Sequence, residues 1–261
     1  MKYHIDTIPV WDAYSAKLSC PLCYLYHKSE MEYVDFFLGG SVMEPATRID
    51  INKSGFCGKH FQLLYEENNR LGLALITHSH LIETIKELKN LSNMLVPEQK
   101  KSLSWRFKRW LGEKFKKYPA PLSQMTNRLD TLHESCMICG RLESLLDRYA
   151  YTILHLWQND DKFRIVLAAS DGFCLHHFSL IMKMAKKALA PNKLDLWVNT
   201  IVPIQLKSLD KIEADLLWFT KKFDYRNQDK PWGDSRDALP RAIQRLSASP
   251  IEPPPISDKV N

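Results

Sequence analysis

Polar and apolar positions along this chain recur with the period of an α-helix almost throughout. After Cys57, the apolar residues Phe61, Leu64, Leu71, Leu75, Leu81, Ile85 and Leu88 mostly suit one helix face, and no proline interrupts before Pro97. After Cys174, a shorter stripe of Phe178, Ile181, Met182, Ala185 and Leu189 runs to a break at Pro191-Asn192. A second helix is predicted from Leu194 to Phe223, on Leu196, Val198, Ile201, Leu206, Leu209, Ile212, Leu216 and Phe219. Pro203 lies inside it and predicts a kink or a split, because proline lacks the N–H that the preceding turn needs. Two more amphipathic stretches carry Tyr33 and Tyr149 at equivalent offsets. Only Phe163 to Ala168 hints at strand alternation, so the expected fold class is all-α.

The pattern also repeats. Cys20-Pro21-Leu22-Cys23 is followed, 34 residues after Cys23, by the Cys57 of Gly55-Phe56-Cys57-Gly58-Lys59-His60-Phe61. Cys136-Met137-Ile138-Cys139 is followed, 35 residues after Cys139, by the Cys174 of Gly172-Phe173-Cys174-Leu175-His176-His177-Phe178. All six cysteines fall in these two copies. A C-x-x-C joined to a C-x-x-H supplies three thiolates and an imidazole, the donor set of a closed tetrahedral zinc site. Pro21 suits the first position of a helix, and Gly55 supplies the turn into the next. Two helix N-termini would thus meet at one ion, and their N–H groups and dipoles favour thiolate.

The expected ligands are therefore Cys20, Cys23, Cys57 and His60 for one structural Zn2+, and Cys136, Cys139, Cys174 and His177 for the other. His177 is preferred to the adjacent His176 because it keeps the spacing of His60. An iron–sulfur cluster with one histidine ligand is the alternative occupant. A redox dithiol is the alternative chemistry, although its usual strand–helix context is missing. His27, four residues after Cys23, is a candidate neighbour of the ligands or an ordinary helix residue. His78 and His80, two apart, point to different helix faces and make no joint site. No hydrolase elbow, phosphate loop or His-Glu-x-x-His is present, so no residue set names a reaction or a catalytic residue.

Composition places the chain among ordinary globular proteins, 45% hydrophobic and 25% charged. No apolar run approaches the roughly 20 residues of a membrane span, and the N-terminus lacks the layout of a secretory signal. A cytoplasmic protein is expected, in a compartment where paired cysteines serve as metal ligands more often than as disulfides. The net charge of +6 is local: between Glu98 and Lys117 stand eight cations and two anions. Trp105, Phe107, Trp110 and Phe115 interleave with those cations, which makes 100–117 the candidate surface for nucleic acid or an anionic membrane, or else a linker helix packed on the body. The expected organisation is a first metal-binding repeat at 1–96, a basic linker at 97–130, a second repeat with a C-terminal strap at 131–246, and a disordered tail at 247–261.

Ile8-Pro9-Val10 with Ala13, Met43-Glu44-Pro45 with Arg48, and Asn69 to Leu75 accompany the cysteine motifs. Trp218-Phe219, Lys221 to Arg226, Pro231-Trp232 and Asp237 to Arg241 follow. Over roughly Tyr3 to Arg245 the chain resembles an uncharacterised family of bacterial cytoplasmic proteins, a domain of unknown function. That resemblance implies no activity. The loop motifs read either as a binding groove or as a strap pinned by Tyr225 and Trp232, with Arg48 or Arg241 pairing to Asp224. The leading expectation is a non-enzymatic binding or adaptor protein, and the rival a thiol-based redox or metal sensor.

Overall fold

The computed structural model describes residues 3–16, 19–95 and 120–248. The basic segment 100–117 and the tail from 249 lie outside the described residues, so the expectations placed on them are not met or refused here. Eleven α-helices occur among the described residues, and no strand. They are α1 (Tyr3–Ser15), α2 (Pro21–Leu38), α3 (Pro45–Ser54), α4 (Gly58–Glu66), α5 (Arg70–Leu95) and α6 (Ala120–Glu134). Then come α7 (Met137–Asn159), α8 (Asp161–Ala168), α9 (Leu175–Ala188), α10 (Pro191–Lys221) and α11 (Ala238–Ser247). The all-α expectation is met.

Three local readings are corrected. The Phe163 to Ala168 segment is helical, started by Asp160, whose Oδ1 accepts from the N–H groups of Lys162 and Phe163 (2.9 and 3.2 Å). Of the kink or split expected at Pro203, the split does not occur, since α10 runs unbroken from Pro191 to Lys221. The stripe from Phe61 to Leu88 belongs to two helices, because Asn69 Oδ1 accepts from Gly72 N–H at 2.8 Å and opens α5 afresh.

The chain forms two compact units, Met1–Ser29 with Leu142–Asn261, and Glu30–Arg141. In the first, Leu22 and Leu25 at the start of α2 share a core with Ile153, Leu154 and Trp157 at the end of α7, and with Phe163, Phe173 and Trp197. In the second, the end of α2 meets the start of α7. The Arg141 guanidinium lies over the rings of Phe37, Phe36 and Tyr33 (4.8, 5.0 and 5.8 Å), and Phe56 packs edge-on between Phe37 and Phe61.

The segment after α10 closes on itself. Buried Lys222 donates from Nζ to the carbonyls of Asn227, Gln228 and Lys230 (2.7, 2.7 and 2.6 Å), and Trp232 packs on Phe219 with ring centroids 5.9 Å apart. The expected pairing to Asp224 is replaced. Asp224 binds Arg226, Arg241 binds Asp215 and Asp237, and Arg48 donates to the Leu75 carbonyl. Tyr225, 79% exposed, pins nothing. Among the described residues no helix is long and apolar enough to cross a membrane.

Candidate metal centres

All eight expected ligands gather into two groups of four, but across the repeats. Cys20 and Cys23 stand with Cys174 and His177, while Cys57 and His60 stand with Cys136 and Cys139. This corrects the expected pairing of each C-x-x-C with the C-x-x-H of its own repeat. The reason is helix length. The 18 residues of α2 are about 27 Å long, and the 10 residues of α3 can return at most about 15 Å before Cys57. The 23 residues of α7 are about 34 Å long, and the 8 of α8 can return at most about 12 Å. Each Gly-Phe-Cys therefore stays near the far end of its own long helix, where the other C-x-x-C begins.

Helix starts supply the donors in both groups. Cys20 and Cys136 immediately precede α2 and α7, and Cys57 and Cys174 cap α4 and α9. The turn before each cap needs a glycine. Gly55 and Gly172 have φ of +63° and +72°, and a Cβ there would sit 2.7 Å from His80 Nε2 or 2.8 Å from Gln205 Oε1. The loops are then pinned. Met137 N–H donates to the Gly55 carbonyl (3.0 Å), joining the two halves of the second group. At the first group, Gln205 accepts from Phe173 N–H at 2.9 Å and donates to its carbonyl at 2.8 Å.

Within the first group, His177 Nδ1 lies 3.6, 3.4 and 3.2 Å from the sulfurs of Cys20, Cys23 and Cys174, with Cys23 and Cys174 Sγ 3.6 Å apart. Within the second, His60 Nδ1 lies 3.1, 3.2 and 3.4 Å from Cys57, Cys136 and Cys139, and Cys57 and Cys139 Sγ are 3.8 Å apart. A tetrahedron with sulfur at 2.3 Å and nitrogen at about 2.0 Å from its centre has edges of about 3.5–3.8 Å. These donor sets fit a single ion.

Residues that the motifs did not indicate surround the donors. His60 Nε2 faces Glu30 Oε1 at 3.1 Å, and Lys59 Nζ donates to the same oxygen at 2.6 Å. A carboxylate on the outer nitrogen orients a ligating imidazole and raises its basicity. Glu30→Ala is expected to weaken metal binding at the second group 10–100-fold and leave the first unchanged, as read by chelator competition. Near the first group stands Arg245, 1% exposed, donating to the Asp171 carbonyl (2.6 Å) and Ser208 Oγ (3.0 Å). Burial lowers its pKa, while the charges of Cys20, Asp171, Cys174 and Cys23 act the other way. Neither Glu30 nor Arg245 has a motif around it; Glu30 reaches His60 across 30 residues, and Arg245 acts on the cysteines of the first group through its charge. His176 is exposed beside buried His177, His80 binds the Asn52 carbonyl, and His27 belongs to neither group.

The donors of the second group hold their protons unevenly. Burial disfavours the His60 imidazolium, but its hydrogen bonds to Cys136 and Glu30 prevail and push it up to about 10. Burial likewise raises the Cys136 thiol, yet hydrogen bonding to His60 and to backbone N–H groups brings it down to about 6. Burial and the Cys136 charge push Cys139 up to about 12. At neutral pH, then, His60 and Cys139 each carry a proton that a bound cation must displace. Affinity of this group for a divalent ion is expected to rise with pH across the neutral range, and more steeply below about 6 where Cys136 also takes a proton. Competition titrations between about pH 6 and 8 check this, and a flat profile would contradict it.

One family model, described as a family of unknown function (DUF6062), matches residues 1–252. The chain belongs to that family. No curated protein and no solved structure matches it. In this DUF6062 chain, the two donor sets are the metal-binding chemistry that the described residues offer.

Proposed function

We propose that this is a cytoplasmic, zinc-binding helical protein, non-enzymatic, in which two Zn2+ ions hold helices in place for a binding or adaptor role. The carrying observation is closure. Each group offers four donors, all within 4.8 Å of one another, and a tetrahedral shell so filled leaves no position for a substrate. The same closeness disfavours an iron–sulfur cluster, whose ligands are spread over several irons and so stand farther apart. Three thiolates with imidazole select a borderline-soft ion over calcium or magnesium. No disulfide occurs among the described cysteines, which accords with a reducing compartment. Each ion would join two helices far apart in sequence, and its binding free energy would count as folding free energy.

Elemental analysis of untagged protein, with an absorption spectrum, tests the reading. Two zinc per chain and no visible band support it. Iron with a visible charge-transfer band would replace it with an iron protein.

A further inference from the structure

The two donor sets share their chemistry and differ in access. Cys20, Cys23, Cys174 and His177 are all 2% exposed or less. In the second set, His60 is sealed and Cys136 is buried, but Cys57 is half-buried and Cys139 lies open on the first turn of α7. Those two more exposed residues place their sulfurs side by side, 3.8 Å apart. Access and thiolate character together decide which cysteines react, and a thiolate held by a metal remains a nucleophile wherever a reagent can reach it.

On the reading that both sets hold a metal, we propose that the Cys57–His60–Cys136–Cys139 site is a peroxide-responsive release site, whereas the Cys20–Cys23–Cys174–His177 site is permanent. The Cys139 thiolate attacks one oxygen of hydrogen peroxide; an S–O bond forms, the O–O bond breaks and hydroxide leaves. The Cys57 thiolate then attacks the Cys139 sulfur; an S–S bond forms, the S–O bond breaks and a second hydroxide leaves. The two sulfurs give up two electrons in all, the peroxide takes them, and two protons from solvent convert the hydroxides to water. Cys136 and His60 are the two donors that remain, too few to keep the ion. The first site has no sulfur that peroxide can approach. The consequence is a unit, Glu30–Arg141, whose cross-link between α4 and α7 changes from metal to disulfide while the other unit is untouched.

The test uses the full-length, metal-loaded protein, with metal counted before treatment. Hydrogen peroxide is added beside a colorimetric zinc indicator. One equivalent is expected to appear while the second stays bound, with an intact mass lower by two hydrogens and a peptide map joining Cys57 to Cys139. Thiol reductant plus zinc should restore the starting state. N-ethylmaleimide in place of peroxide should label Cys139 before any cysteine of the first set, which needs no substituted protein and no refolding. Release of both equivalents together, a disulfide from the first set, or retention of both ions would overturn the proposal. Absence of metal before treatment would instead remove the reading on which it rests.

Discussion

Replacing Cys20 and Cys174 together is expected to remove one metal equivalent, whereas replacing Cys20 and Cys57 together is expected to remove both. In the structure Cys20 and Cys174 belong to one donor set, so the second substitution strikes a site already lost. Cys20 and Cys57 belong to different sets, so that double serine variant disables each in turn. A pairing within repeats demands the reverse result. The effect on folding is large, because structural zinc contributes on the order of 10 kcal/mol, comparable with the whole 5–15 kcal/mol of an ordinary domain. Elemental analysis counts the ions, and limited proteolysis shows which unit has opened: Glu30–Arg141 should stay resistant in the Cys20→Ser/Cys174→Ser variant. If that variant lost both ions and the other kept one, the crossed arrangement would be wrong.

Arg245→Met is expected to destabilise the first unit by about 3–5 kcal/mol, the usual effect of leaving a buried charge without its partner. Three thiolates and a neutral imidazole around a divalent ion carry one net negative charge, and every donor of this set is buried. Arg245 brings a positive charge to the same place from α11, close enough to interact with Cys20, Cys23 and Cys174. Its Nη2 also satisfies the Asp171 carbonyl and Ser208 Oγ, which methionine would leave unmade. Arg245→Lys keeps the charge but has one point donor in place of a planar fork, so an intermediate loss is expected. In calorimetry the methionine variant should melt on the order of 10 °C lower. Its first site should also surrender metal to chelator sooner than the second, reversing the order in the native protein. A variant as stable as the native protein, with the native order of release, would show that Arg245 does not balance the site.

Glu30 and Arg245 together make the two sites electrostatically unlike. The second has a carboxylate behind its histidine and a lysine at the rim; the first has a buried guanidinium and no exposed donor. Duplicated motifs thus stand in different surroundings, and those surroundings, not the ligands, separate a permanent site from a releasable one.

The eight candidate donors could be picked out in the sequence because donor chemistry resides in residue type, and C-x-x-C and C-x-x-H spacings are local properties of a helix start. His177 could be chosen over His176 for the same reason, and the helical period marked the all-α class. Capping decided smaller matters: Asp160 turned an ambiguous apolar run into α8, and Asn69 divided one stripe between α4 and α5. What no local pattern contains is distance through space. Which C-x-x-C meets which C-x-x-H depends on how far α2 and α7 carry the chain and how little α3 and α8 bring it back. Likewise Glu30 reaches His60 across 30 residues, Gln205 holds Phe173 across 32, and Arg245 reaches Asp171 across 74. The sequence by itself indicated the candidate donors and the all-α class; the tertiary structure decided the helix bounds, the grouping of the donors, their exposure and the charges around them, because packing long helices brings together residues that spacing alone keeps apart.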